Sequence, residues 1–490
     1  MRPADLFDRE TEWSDLETFV ASPSRGLRVG IVYGRRRLGK SFLLRRLARE
    51  HDGIYHMALE EEPEPALRRF ADTLAARRDL GQGLLRFRDW VDALRTALSG
   101  PEPLLIIDEL PYLLAHPDGA VFTSALQALV DESRDDPEAP RKRVILCGSA
   151  LSVMAGLLSG TKALRGRVEL DMLLRTFDYR TTAEYYGIQD PAVAFRLYAV
   201  FGGVPGYRDL TGEASPQTPE ELDALILRTV GNPSHALFSE PSYLLREDPR
   251  VRDRSLYFSI LEAVSRGART PSAIAAAIGR DARSLAHPLD VLLTAGFLLK
   301  RDDILRQRRP TLSVADPIVR FHDLVVSPRM AAFEDRRAHP AWADAQPALR
   351  TQLYGPAFEE LAREWTARWA SADTLGGLAG EVGTTAVNDG AGRTQHELDV
   401  VVLAAGQRRQ AAHPQILALG EAKDSDGVRT AGDLHRLEHI RGLLTARGTD
   451  ASGAQLLLFG RTGFSPDVVA AAAERTDVEL IDLERIRYGS

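Results

Sequence analysis

The chain has 490 residues, 44% of them hydrophobic and 27% charged, with a formal net charge of −7. That length holds two or three domains with cores of their own, and the composition excludes collagen-like and wholly disordered chains. A single cysteine, Cys147, excludes a disulfide scaffold and a multi-cysteine zinc site, and fits a reducing compartment.

In chain order, the opening MRPADLFDRETEW has no apolar signal core, and no later run reaches the ~18 apolar residues of a membrane span. A cytoplasmic protein without membrane contact is expected. LRVGIVY at 27–33 reads as a strand, followed by a glycine-bounded loop and the helical pattern SFLLRRLARE. PLLII at 103–107 reads as a buried strand ending in Asp108-Glu109, and RVILCG at 143–148 as another. Buried strands alternating with helices predict a parallel sheet covered on both faces, here over residues 1–190, with a helical lid over 191–249.

From Tyr257 the pattern changes. YFSILEAVSRG is an amphipathic helix, TPSAIAAAIG a short one with Thr270 as N-cap and Pro271 at its first position, and RSLAHPLDVLLTAGFLLKR a third, interrupted near Pro288 and followed by a strand. This predicts a winged helix-turn-helix over 250–327. Residues 250–330 hold 14 Lys+Arg against 8 Asp+Glu, a local excess that fits either a polyanion partner or a solvated surface. The third helix begins near Arg283, and the wing carries Arg306, Arg308 and Arg309. Residues 328–352 read as a linker. The last block, 353–490, opens with a helix at 354–369 and continues as three strands, a helix at 431–445, a strand, a helix and a terminal strand, which is a small α/β domain.

Residues 34–41 read Gly-Arg-Arg-Arg-Leu-Gly-Lys-Ser, the G-x4-G-K-S spacing of a Walker A loop between a strand and a helix. Its backbone N–H groups must converge on phosphate oxygens, so Gly34, Arg35, Arg36, Arg37, Leu38 and Gly39 form the cradle. Lys40 is placed to reach the β/γ-phosphates and Ser41 to ligate Mg²⁺. At the tip of the 103–107 strand, Asp108 is the second magnesium partner and Glu109 the base that orients the attacking water. Ser149, at the tip of the 143–148 strand, fits either a γ-phosphate contact or a helix N-cap. Cys147 reads as core. The chain has only five lysines against 57 arginines, so a lysine kept at a chemically demanding spot is informative; Lys40 and Lys423 are both at such spots.

The segment LFDRETEWSDLETF, the loop GRRRLGKS, the strand LLIIDEL, the tip GSA, LRGR at 164–167 and FGGVPGYR at 201–208 together resemble the archaeal-type ATPase family of AAA+-like P-loop proteins, over residues 5–245. The resemblance implies ATP as the nucleotide and a lid after the core. It makes Arg167 a candidate γ-phosphate sensor or arginine finger, with Arg165 as the alternative, and puts Gly203 and Pro205 at the lid junction.

In the last block Asp399 lies in HELDVVV, and Glu421-Ala422-Lys423 ends QILALGEAK. Side chains 421 and 423 share one face of a strand, and an acid on the neighbouring strand can share a Mg²⁺ ion with Glu421. Lys423 can then stabilise the charge that develops on a scissile phosphate. Glu359, in the opening helix, offers a further carboxylate. This is the D…E-x-K set of PD-(D/E)xK nucleases, and residues 353–485 resemble the restriction-endonuclease-like domain that follows archaeal-type ATPase modules. Leu398 stands where that pattern has proline, which is not a ligand. His396 and His435 read as surface residues.

The fold class expected is therefore α/β throughout: a P-loop NTPase sheet, a winged-helix module and a small restriction-endonuclease-like domain. The expected function is an ATPase coupled through the winged helix to a metal-dependent DNA nuclease. DNA contacts are expected through 250–330 and 353–490, and a homo-oligomer is compatible. The alternative is a nucleotide-dependent signalling switch whose last domain binds without cutting.

Overall fold

The computed structural model describes residues 3, 5–81, 83–116, 118–159, 162–246, 248, 250–251, 253–307, 310–424 and 426–490. The chain divides into two compact units.

The first unit takes residues 1–176 with 204–209 and 242–252. Its sheet has β1 (Leu27–Tyr33), β2 (Ile54–Met57), β3 (Leu104–Asp108), β4 (Lys142–Gly148) and β5 (Val168–Leu173) in the order β2-β3-β4-β1-β5. All pairings are parallel. β3 and β4 are buried at every position, as continuous apolar runs require when helices cover both faces. The two edge strands escape simple pattern reading. IYHM is four residues long with a histidine inside it, and VELDML exposes alternate residues. At the start of β4 the buried Arg143 donates to the carbonyls of Phe19, Ser22 and Ser24, at 3.1, 2.7 and 2.8 Å, and so ties down the end of the first helix.

The second unit takes residues 177–203, 210–241 and 253–490. The expected cut at 190 and the expected separate lid over 191–249 do not correspond to this division. Helices Arg254–Ser265 and Pro271–Ala277, a 3-10 turn with helix Ala286–Thr294, and the antiparallel pair β6 (Leu298–Arg301) and β7 (Thr311–Val314) follow in the expected order. Thr270 caps its helix, its side chain accepting from the Ala273 N–H. Pro288 does not interrupt the third helix. It sits in the first turn, where its missing N–H leaves no bond unmade. Residues 328–352 are not a linker: they are helical, and bury Phe333, Trp342 and Leu349.

The last sheet runs β12-β11-β10-β9-β8, from β8 (Ala379–Asp389), β9 (Thr394–Ala404), β10 (Ile416–Lys423), β11 (Gln455–Gly460) and β12 (Val478–Ile481). β8 to β10 are antiparallel and β10 to β12 parallel. Ile304, in the connection between β6 and β7, belongs to this domain's core. Ile304 is fully buried among Val387, Leu398 and Val401, and exchanges backbone bonds with Thr384 and Gln410. Arg306, expected to face DNA, instead donates to the Ala386 carbonyl at 3.0 Å. Arg308 and Arg309 lie outside the described residues. No described helix is long and apolar enough to cross a membrane.

Candidate functional site

Two groups of chemistry-bearing residues stand in this fold, one in each unit. In the first, β1 ends at Tyr33 and the phosphate-loop sequence turns sharply into helix Lys40–Glu50. A side chain at position 34 would put its Cβ 2.5 Å from the Leu174 carbonyl oxygen, and Gly39 has φ +87°, so both glycines are required by the backbone. Arg37 also lies in the left-handed region, and its carbonyl accepts from the Gly206 N–H at 3.0 Å, directly after Pro205. Gly203 lies in the second unit, its carbonyl accepting from the Phe177 N–H at 2.8 Å. Leu38 and Lys40 are buried, and the Lys40 ammonium donates to the Arg35 carbonyl at 2.8 Å, closing the loop on itself.

β4 separates β1 from β3, and the ends of all three strands converge. Asp108 is wholly buried. Burial alone would raise its pKa, but hydrogen bonds from the Cys147 thiol, the Ser41 hydroxyl, the Tyr55 hydroxyl and the Glu109 N–H hold it below the usual carboxylate value. Ser41 and Asp108 therefore stand together as hard oxygen donors, the kind of set Mg²⁺ takes. Glu109 behaves oppositely. Burial first, then the Asp108 charge, pushes its pKa up, against the pull of Lys40 and Ser149. Its φ of +52° is a left-handed conformation outside glycine, the kind of local strain that persists where surrounding structure enforces it. The Ser149 hydroxyl donates to Glu109 at 3.2 Å, while the N-cap position of the following helix is Ala150. Tyr55 and the Asp108 contact of Cys147 were not foreseen. β2 was too short to recognise, and a thiol in an apolar strand looks the same whether or not a carboxylate lies beside it.

Arg167 is not at this site. β5 starts at Val168 beside Val29, at the opposite end of the sheet from the phosphate loop, about 13 Å away along β1. The Arg167 guanidinium forms a two-pronged pair with Asp131, both bonds 2.8 Å. Arg165 lies in the same turn and its carbonyl accepts from Arg167.

In the second unit the antiparallel register, with Gly420 opposite Val400, brings Asp399 beside Glu421. One Asp399 oxygen accepts from the Ala422 N–H at 2.9 Å. Burial, then the Glu359 charge, pushes the Asp399 pKa up to about 7. Burial raises that of Glu359 as well, against the nearby Arg363, Arg269 and Arg320. Glu421 is 3% exposed. Its Oε1 is met by Arg436 at 2.7 Å and Lys423 at 3.0 Å. Its Oε2 is buried and, among the described residues, has no hydrogen-bond partner, with the Arg429 guanidinium 3.9 Å away. A buried acceptor without a donor is costly, and a cation shared with Asp399 would satisfy it, so this donor set fits Mg²⁺. Lys423 is the most exposed of the set and also bonds Asp433 at 3.0 Å. Asp399 and Glu359 line a cavity of about 430 Å³ whose walls carry Arg269, Arg301, Arg320 and Arg363. Burial pulls the Arg320 pKa down to about 10, still charged at neutral pH. The buried Arg429 and the arginines of the cavity were missed because arginine is the commonplace base of this chain. His435 is exposed as expected, whereas His396 is partly buried beside Asp389 and His439.

Residues 6–188 match the family described as an ATPase domain predominantly from Archaea. That match supports an ATPase domain in the segment that carries the phosphate loop. An uncharacterized protein of Methanocaldococcus jannaschii, MJECL04, is 23% identical over 362 residues, which are 73% of this chain and 76% of that protein. Among solved structures, a Walker-type ATPase of Pyrococcus abyssi is similar with a TM-score of 0.48 and 20% identity, over 66% of this chain and 97% of that one. The ORC2 protein of Aeropyrum pernix gives a TM-score of 0.46 and 12% identity, over 70% of this chain and 97% of that one.

Proposed function

We propose that the chain hydrolyses ATP at the Gly34–Ser41 loop and cuts DNA at Asp399, Glu421 and Lys423, with the nucleotide cycle governing the cut. At the first site the loop N–H groups and Lys40 hold the phosphates, Ser41 and Asp108 hold Mg²⁺, and Glu109 takes the proton of the attacking water while Ser149 orients its carboxylate. At the second site Asp399 and Glu421 hold the ion and Lys423 stabilises the charge that grows on the phosphate, while Glu359, which is not gathered with both of them within 4.8 Å, lines the adjoining cavity. Magnesium, when bound, polarises the phosphate oxygen and makes water a better nucleophile.

The observation that supports the nuclease reading is the unpartnered Glu421 Oε2 beside Asp399, which itself lines a cavity carrying Arg269, Arg301, Arg320 and Arg363 together with Asp303, Glu359, Glu360 and Glu397. Three helices followed by a two-stranded antiparallel sheet over 254–314 support the winged-helix reading. With Arg306 bonded to Ala386, its nucleic-acid face falls to the exposed Arg280 and Arg283 at the start of the third helix. The test is cleavage of plasmid and single-stranded DNA by the full chain with Mg²⁺ or Mn²⁺, with ATP, a non-hydrolysable analogue or neither. Cleavage lost in Asp399→Ala, with ATP hydrolysis intact, supports the reading.

One observation favours the signalling-switch alternative. Glu421 and Asp433 are already matched by Arg436, Lys423 and Arg429, a cluster that neutralises itself. Normal ATP hydrolysis without cleavage under any of these conditions selects that alternative.

A further inference from the structure

We propose that Asp389, His396 and His439 form a binding site for a zinc-class divalent transition metal, separate from both sites above, which fastens the β8–β9 hairpin to helix Ala431–Ala446. One ligand atom from each residue lies within 4.8 Å of the others. Asp389 Oδ2 is 2.9 Å from His439 Nε2 and 3.7 Å from His396 Nε2. Tetrahedral zinc, with bonds of 2.0–2.2 Å to nitrogen and oxygen, sets its ligand atoms about 3.3 Å apart, so the two measured separations bracket what an ion needs.

The register explains how the ligands meet. Asp389 pairs with Thr394, and His396, two residues on, lies diagonally across on the same face of the hairpin. His439 comes from the helix, and its ring stands edge-on to that of His396, centroids 5.6 Å apart.

Three further features fit a ligand rather than a chance cluster. His396 Nε2 is buried and has no hydrogen-bond partner among the described residues, which an ion would supply. Asp389 Oδ1 is already occupied, accepting from the Gly392 N–H at 2.9 Å, and this leaves Oδ2 turned toward both imidazoles. Position 392 must be glycine for that seat to exist, because a Cβ there would lie 2.6 Å from Asp389 Oδ2. Orientation of a ligating carboxylate by a backbone donor is the usual second layer of a metal site.

Two imidazoles and one carboxylate suit zinc, cobalt or nickel and disfavour Mg²⁺, which takes oxygen ligands and keeps its waters. The Asp389 and His396 side chains are 8% and 18% exposed and that of His439 is 52% exposed, so water can complete the coordination from the helix side.

The experiment uses the full chain, stripped with chelator and titrated with ZnCl₂ by calorimetry, and with CoCl₂ by visible absorption. The expected result is one zinc per chain, undisturbed by millimolar Mg²⁺, with the d–d bands of a low-coordinate cobalt site and a raised melting temperature. His439→Ala removes an exposed ligand that the fold does not need. It is expected to weaken zinc binding at least tenfold and to abolish the thermal shift, with ATP hydrolysis unchanged. Asp389→Asn is expected to act likewise, and Asp399→Asn to leave zinc binding as it was. The proposal is overturned if the wild-type chain takes up no zinc at micromolar concentration, if His439→Ala and Asp389→Asn bind it as wild type does, or if Asp399→Asn abolishes it.

Discussion

Replacing Asp399 with asparagine should make the second unit more stable at pH 8 while ending any metal-dependent cleavage. The Asp399 carboxyl is raised from 3.8 to about 7, first by burial and then by the charge of Glu359. A folded state that holds a proton more tightly than the unfolded chain loses stability as pH rises from about 4 to about 7. Above that range the whole cost is present. A difference of that size corresponds to at most about 4 kcal/mol, part of it shared with the neighbouring Glu359. A gain of about 1–3 kcal/mol is expected. Asparagine keeps an oxygen for the Ala422 N–H and carries no charge. Chemical denaturation in chelator, followed at pH 5 and pH 8, measures this. The gain should be full at pH 8 and shrink to about a third of that at pH 5. Millimolar Mg²⁺ should raise the stability of the wild-type chain and not of the variant. A loss of stability at pH 8, or a gain independent of pH, would refute the account of a carboxylate held ionised against its surroundings.

Four other outcomes are expected. Lys40→Ala should weaken ATP binding and turnover together, whereas Glu109→Gln should bind ATP and lower kcat by about 10²–10⁴; wild-type turnover in Glu109→Gln would show that another group is the base. Because the Glu109 pKa is raised, kcat should fall on the acid side above the ordinary range of an exposed glutamate, and a flat profile down to pH 4.5 contradicts this. His56 is buried and its pKa is pulled down to about 4, so the first unit should lose about 3 kcal/mol between pH 7 and pH 4, and calorimetry of His56→Gln should show a smaller loss. Reversing Arg280 and Arg283 to glutamate should weaken DNA binding and reduce its log–log salt slope by about 2, while unchanged affinity and slope would assign that surface to a protein contact.

How much of this was legible in the sequence depended on whether the signal was local. The Gly34–Ser41 loop, β3 with Asp108-Glu109, β4 and the order of the last domain are short-range patterns of spacing and apolar runs, and they stand where the sequence put them. Arg167 was misplaced because a basic residue in a loop carries no information about which end of a sheet it faces. The wing was misread for a related reason. Ile304 and Leu305 are two apolar residues in a charged loop, and only the three-dimensional packing reveals that Ile304 fills the core beneath β8. The 328–352 segment looked like a linker because Pro, Ala, Asp and Arg dominate it, yet Phe333, Trp342 and Leu349 are enough to anchor it. His396 looked isolated because its partners are seven residues before it and forty-three after it.

The two sites share one physical design, and it bears on which carboxylates do chemistry. Asp108 and Glu109 are neighbours in sequence, yet hydrogen bonds pull the first pKa down and burial beside that charge pushes the second up. Divergent environments of this kind separate a group that stays charged to hold a cation from one that can exchange a proton. In the second unit the two acids stand on neighbouring strands. Glu421 stands among Arg436, Lys423 and Arg429, while Asp399 faces Glu359 across a cavity. A cluster kept only for stability would gain by exchanging its charged members for well-packed apolar ones, since buried ion pairs rarely repay their desolvation. Here an unpartnered oxygen, a carboxylate raised to about 7 and a buried arginine without full hydrogen bonding persist together. Each is costly alone, and a divalent ion with a phosphate diester would satisfy all three. Under the proposed nuclease reading, the stability recovered by Asp399→Asn measures what the site gives up until its ligand binds.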